Sequence, residues 1–285
     1  MNIDIKNVDY IYNQGIPGEV YALKDINLNI ASHEIIGLIG QTGSGKSTLV
    51  QLLNGLLIPT NGDVVVDGVN TKDKEKRRDI RFKVGLVFQY PEHQLFEESI
   101  AKDISFGPTN MGLTEDEVDL RVKEAMSKVG LDYETYKNVS PFEISGGQQR
   151  RVAVAGIIAM NPKVLVLDEL TAGLDPAGRE EIFREIISIY ENDPELTIVL
   201  VSHSMEDVAE YVDRVIVMNK GEIYSDASTY DTFTKVDLEK IGLDVPQVSR
   251  FMKAYKNEGH DVRDDIYTIE AAVEELSKYL GVAHE

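Results

Sequence analysis

The chain of 285 residues contains no cysteine and no tryptophan. Without cysteine there can be no disulfide and no cysteine-ligated metal, and the composition suits a reducing compartment. No apolar run approaches the ~18 residues needed to span a bilayer. The longest candidate, Val152 to Met160, has the length of a buried helix face. The opening residues Met1-Asn2-Ile3-Asp4 lack the basic and apolar regions of a signal peptide. Any membrane role is therefore expected to run through a partner. Positive charge is scarce: the formal net charge is −20 and the pI is near 4.7. That balance argues against broad nucleic-acid binding, which uses a basic face. Repeats and low-complexity segments are also lacking. What remains, 42% apolar and 27% charged residues, is ordinary for a globular protein. The length accommodates one large α/β domain plus a smaller addition.

The most informative stretch is Gly40-Gln41-Thr42-Gly43-Ser44-Gly45-Lys46-Ser47-Thr48. It fits the phosphate-loop pattern Gly-x-x-x-x-Gly-Lys-Ser/Thr. Ile35 to Ile39 ahead of it reads as a buried strand, and Ser47 to Leu53 behind it as a helix. Glycines at 40, 43 and 45 let successive N–H groups point at one anion. The helix N-terminus adds about half a positive charge. Lys46 supplies a full charge for the β- and γ-phosphates, and the Ser47 hydroxyl can bind Mg²⁺. The expected ligand is a nucleoside triphosphate.

Along the chain, Ile3 to Val8 alternates like a half-buried strand and leads to Tyr10 and Tyr12. An aromatic here serves either packing or stacking on a base. Asp63 to Gly68 reads as a strand of a small antiparallel layer. Lys72 to Lys83 is basic and helical in pattern, a solvated face or a docking surface. The strand Val84 to Phe88 delivers Gln89 at its C-terminal end, where ligands of open α/β sheets sit. From Tyr90 to Met160 the pattern is mostly helical. Thr114 to Glu117 forms a capping box, and Gly130 ends that helix. A second helix starts at Ser145-Gly146-Gly147-Gln148, and its first turn can also receive an anion. Val164 to Glu169 reads as an apolar strand that finishes in two carboxylates, Asp168 and Glu169. Burying unpaired charge is costly, so that ending implies a cation. Thr197 to Ser202 is another buried strand, ending at His203, and Asn219-Lys220-Gly221 marks a hairpin. Beyond about Ser225 come helices, Pro246 to Asn257 and Ile269 to Leu280.

Ser145-Gly146-Gly147-Gln148-Gln149-Arg150-Arg151, Leu167-Asp168-Glu169, Gly173-Leu174-Asp175 and Ser202-His203 follow the phosphate loop in that order. The chain resembles an ATP-binding-cassette ATPase over roughly its first 225 residues. The resemblance makes Gly40 to Ser47 the Walker A motif, Val164 to Asp168 the Walker B motif and Glu169 the catalytic glutamate. Gln89 becomes the Q-loop glutamine, Ser145 to Gln148 the signature, and Asp175 the D-loop. His203 becomes the switch histidine and Tyr12 the base-stacking aromatic. Phe88 to Glu98, Ser140 to Glu143 and the helical tail resemble, more narrowly, the second ATPase subunit of energy-coupling-factor transporters. Leu170 stands where the family usually has proline, and His33 where a turn glycine is common.

The implied fold is α/β. It has a phosphate-loop core with a mainly parallel sheet, an antiparallel β layer, a helical signature subdomain at about 90–161, and a small helical C-terminal domain. The implied boundaries are 1–225 for the cassette and 226–285 for the tail. The implied cofactors are ATP and Mg²⁺, with Ser47, Gln89 and Asp168 around the metal. Each nucleotide would be sandwiched between one subunit's phosphate loop and another's signature. Expected partners are a second homologous ATPase in a heterodimer, a transmembrane scaffold and a substrate-binding membrane component, at the cytoplasmic face of the cell membrane. Vitamins and related micronutrients are the usual cargo. A conventional importer cassette for an amino acid or metal ion is the competing reading, and a non-transport cassette ATPase the more distant one.

Overall fold

The computed structural model describes residues 1–281; positions 282–285 of the expected tail lie outside the described residues. In chain order the elements begin with strands β1 (Ile3–Tyr12), β2 (Val20–Ile30) and β3 (Ile35–Gly40), then helix α1 (Lys46–Leu53). Strands β4 (Asn61–Val66) and β5 (Val69–Asn70), helix α2 (Arg77–Lys83) and strand β6 (Val84–Val87) follow. A helical stretch holds α3 (Ile100–Asn110), α4 (Glu115–Lys128), α5 (Tyr133–Tyr136) and α6 (Gly146–Ile158). Then come β7 (Val164–Asp168), α7 (Pro176–Glu191), β8 (Thr197–Val201) and α8 (Met205–Tyr211). The chain continues through β9 (Arg214–Asn219), β10 (Glu222–Ser228), α9 (Thr229–Lys235), α10 (Gln247–Asn257) and α11 (Ile269–Leu280).

The hydrogen-bonded strand orders are β2-β1-β4-β5 in one sheet and β10-β9-β3-β8-β7-β6 in the other. Pairing is parallel between β3 and β9 and between β6 and β7, and antiparallel in the β9–β10 hairpin. Every residue of β3, β6 and β8 is buried, as expected for strands covered on both faces. β1 instead buries Ile3 and Ile5 in alternation and then Val8 and Ile11 at wider spacing, the pattern breaking where its register shifts between Lys6 and Asp9. The architecture is the α/β class expected, with an antiparallel layer beside a mainly parallel sheet.

Two compact units emerge from the packing. The first comprises Met1–Tyr10, Asp25–Glu34 and Ser47–Val199; the second comprises Ile11–Lys24, Ile35–Lys46 and the chain from Leu200 onward. In the first unit the helical stretch is well capped. Thr114 and Glu117 form a reciprocal capping box on α4, and Ser145 and Gln148 form another on α6. The helix expected over 72–83 is shorter than its charge pattern suggests. Asp73 accepts the N–H groups of Glu75 and Lys76, so the chain turns there and α2 starts only at Arg77. In the second unit the tail has its own small core of Met252, Val262, Ile266 and Ala272.

Candidate functional site

The phosphate loop lies in the second unit, between the buried end of β3 and the start of α1. The Lys46 ammonium folds back over the loop. It donates to the Gly40 carbonyl at 2.6 Å and to the Gln41 carbonyl at 3.2 Å. The Ser44 N–H donates to the Gln41 carbonyl at 3.0 Å, and the Gly221 N–H of the β9–β10 turn donates to the Ser44 carbonyl at 3.0 Å. Gly45 has φ +107°, and a Cβ there would stand 2.7 Å from the Ala22 carbonyl oxygen. Only glycine fits that position. The Ser44 hydroxyl is buried with no hydrogen-bond partner, a polar atom that an anion could satisfy. Tyr12, at the end of β1, exposes 37% of its surface, and its ring is accessible for stacking. His203 is exposed between the end of β8 and Ser204, which caps α8.

The first unit carries the carboxylates and the signature. Gln89 follows β6 directly, and its Nε2 donates to Glu169 Oε2 at 2.8 Å, bringing together two residues 80 positions apart. Asp168 ends β7 half-buried. Glu169 sits just past it with φ 52°, in the left-handed region that a non-glycine residue occupies at a cost. Ser47 and Thr48 belong to the first turn of α1. Ser145 caps α6, and Gly146 and Gly147 are exposed, with no neighbour within 4 Å of an added Cβ, so their backbone is approachable. Gln148 also donates to the Tyr136 hydroxyl at 3.0 Å. Asp175 caps α7 by accepting the Gly178 N–H at 2.7 Å.

A buried pairing beside the site that sequence reasoning missed centres on Arg150. Its guanidinium, 4% exposed, forks onto both oxygens of Glu92, at 2.9 and 3.2 Å. It also donates to the carbonyls of Leu170 at 2.9 Å and Ala172 at 3.1 Å. The stretch after Gln89, the signature helix and the loop after Glu169 are thereby tied to one side chain. Burial alone would push the Glu92 carboxyl up, but the Arg150 hydrogen bonds and charge hold it below its ordinary value. A local signal existed: Arg150 shares a helix face with Val154 and Ile158, where a charge needs a partner.

The two departures from the family pattern also find physical accounts. His33 adopts φ 58°, its N–H donates to Thr197 Oγ1 at 2.9 Å, and its ring stacks on Tyr190 at 4.6 Å. These contacts hold a turn that elsewhere is left to glycine. Leu170 is 1% exposed and has its carbonyl bonded to Arg150. β7 ends at Asp168, and past Glu169 the chain is held by the burial of Leu170 and the Arg150 hydrogen bond to its carbonyl.

A phosphate loop between a buried strand and a helix, in a mainly parallel sheet, defines a nucleoside-triphosphate-binding protein. The family profile described as ABC transporter matches residues 23–172, and the chain belongs to that family, whose members are ATP-binding-cassette ATPases. It is 57% identical to the energy-coupling factor transporter ATP-binding protein EcfA2 of Clostridium perfringens, over 97% of both chains. Its identity to the protein of the same name from Clostridium acetobutylicum is 53%, over 99% of both. Among solved structures, cbiO1 from Clostridium perfringens, described as part of the ABC transporter complex cbiONQ, is similar with a TM-score of 0.74. Identity there is 36%, covering 88% of this chain and 98% of that one. A dimeric ATP-binding cassette with ADP and Pi bound in a post-hydrolysis state is similar with a TM-score of 0.69. It is 32% identical, covering 80% of this chain and 98% of that chain. Among the described residues no helix is long and apolar enough to cross a membrane.

Proposed function

We propose that this chain is the ATP-hydrolysing subunit of an energy-coupling-factor importer, working at the cytoplasmic face of the cell membrane to drive uptake of vitamins or other micronutrients. The observation that carries this reading is its likeness, over nearly its whole length, to proteins named for that role. Its partners would be a second, homologous ATPase, a transmembrane scaffold and a substrate-binding membrane component. The segment after residue 225 would add contact between the two ATPases, and residues 1–225 would form the cassette with its helical part at about 90–161.

In this reading Gly40 to Thr48 cradles the phosphates, with Lys46 turning from loop carbonyls to phosphate oxygens. Tyr12 stacks on the base. Ser47, Gln89 and Asp168 offer a hydroxyl, an amide and one carboxylate, a hard oxygen set that suits Mg²⁺ alongside substrate phosphates. When bound, Mg²⁺ neutralises charge on the transferred phosphoryl group. Glu169 orients the attacking water and accepts its proton, and its Oε2 is positioned by the Gln89 amide. His203 donates to the γ-phosphate. Ser145, Gly146, Gly147 and Gln148 face the ATP held by the partner ATPase, and Asp175 lies at the junction between subunits. Closure on ATP and opening after hydrolysis pass to the scaffold through the stretch after Gln89. A groove of about 480 Å³ supports that path; Leu95, Phe96, Phe106 and Met160 are among the residues that line it.

Glu169→Gln is expected to bind ATP while losing on the order of 100- to 10,000-fold in turnover. Phosphate release at the wild-type rate would remove the role given to Glu169. Purification from detergent-solubilised membranes is expected to recover a different ATPase and a membrane scaffold with this chain. Recovery of a homodimer with a solute-binding protein would instead favour a conventional amino-acid or metal-ion importer.

A further inference from the structure

One contact joins the tail of the second unit directly to the phosphate loop. The Gln41 side chain, exposed and free to point elsewhere, donates from Nε2 to the Gly242 carbonyl at 3.0 Å, across 201 positions of sequence. Gly242 closes a short 3-10 turn, Glu239–Ile241, in a left-handed conformation with φ 70°. Its own N–H is held by the Glu239 carbonyl at 2.9 Å, and the next N–H, of Leu243, by the Leu238 carbonyl at 3.0 Å. Leu238, Leu243 and Val245 are buried around it. The acceptor is thus fixed to a packed part of the tail.

The other end of Gln41 faces the chemistry. Its backbone carbonyl accepts from the Lys46 ammonium and from the Ser44 N–H. One residue therefore has its side chain on the tail and its main chain on the lysine expected to hold phosphate. We propose that Gln41 is a positioning residue through which the segment after residue 225 sets the nucleotide affinity of the phosphate loop. The proposal rests on the reading of that loop as the ATP site and adds a control that the loop's motif does not imply. Pinning Gln41 fixes the carbonyls and N–H groups of the cradle before the ligand arrives, which lowers the ordering cost of binding. Freeing the side chain leaves the loop glycines, Lys46 and Ser47 in place and the cradle looser in geometry.

Gly242 provides an independent handle. A Cβ at that position would stand 2.2 Å from Gln41 Nε2, so even alanine drives the amide off its acceptor. The full-length chain is titrated with ADP by calorimetry, as wild type, Gln41→Ala, Gly242→Ala and the double variant. Gln41→Ala is expected to weaken ADP binding about 2- to 10-fold, the range that one neutral hydrogen bond supports. Gly242→Ala should weaken it similarly, and the double variant should bind like Gln41→Ala alone. Additive losses, or wild-type affinity in Gln41→Ala, would overturn the proposal. Thermal unfolding separates a purely structural effect, which lowers the Gly242→Ala midpoint without moving ADP affinity and also counts against it. Because Gln41 is exposed, its alanine variant decides the question even if Gly242→Ala does not fold. A wild-type chain that fails to bind ADP would overturn the nucleotide reading itself and this proposal with it, a result distinct from the others.

Discussion

Arg150 illustrates what a single buried charge can organise. Its fork meets Glu92 on one side and two backbone carbonyls on the other, so truncation strands a carboxylate and leaves those carbonyls short of a donor. Arg150→Ala is expected to cost about 3–5 kcal/mol of stability, the range for breaking a buried ion pair by removing one partner. Denaturant unfolding measures this, and a loss under about 1 kcal/mol would mean that the pair behaves like a surface one. Residues of the phosphate loop were legible in the sequence because the backbone they require restricts the choice of residue, as at Gly45. The Arg150–Glu92 pair was not, because its halves lie 58 positions apart and neither shows what it faces. The left-handed backbone of Glu169 and His33 was equally hidden, since both residue types ordinarily adopt other conformations.

At the level of elements, the readable parts were those with local instructions. The caps of α4 and α6 stand at the Thr114–Glu117 and Ser145–Gln148 spacings, and buried strands such as β3 and β8 show as apolar runs. Helix α3 was blurred because Gly107 and Pro108 interrupt its pattern near the C-terminal end. Pro108 lies inside the helix with its ring buried and, having no N–H, leaves the Ile104 carbonyl without its helical donor. Between α6 and α7, Arg151 pairs with both Glu181 and Glu185. Burial pushes the Glu185 carboxyl up to about 7; the Arg151 charge opposes this, and Glu181 adds to it. The folded chain therefore holds this proton more tightly than the unfolded chain does. Stability is expected to fall as pH rises from about 4.5 through about 7. Glu185→Gln should flatten that slope in urea midpoints taken across the same window, and an unchanged slope would remove Glu185 as its source.

For the molecule as a whole, a formal charge of −20 means that the folded chain repels itself. Raising ionic strength from about 0.01 M to 0.15 M shortens the screening length from about 30 Å to about 8 Å. The thermal midpoint is expected to rise with that change, and a fall would show that attractive pairs outweigh the net repulsion. The fold class was legible at this scale because buried runs and phosphate-loop context suffice for it. Strand order was not, since β3 pairs with β9 through contacts that no local pattern encodes. The borders of the six-stranded sheet carry a last consequence. One is β10, which presents Glu222 and Asp226, the latter clasped by Arg214; the other is β6, four residues long and fully buried. Neither offers a long apolar ribbon to a stray strand, so this sheet is guarded against edge-to-edge pairing with other chains.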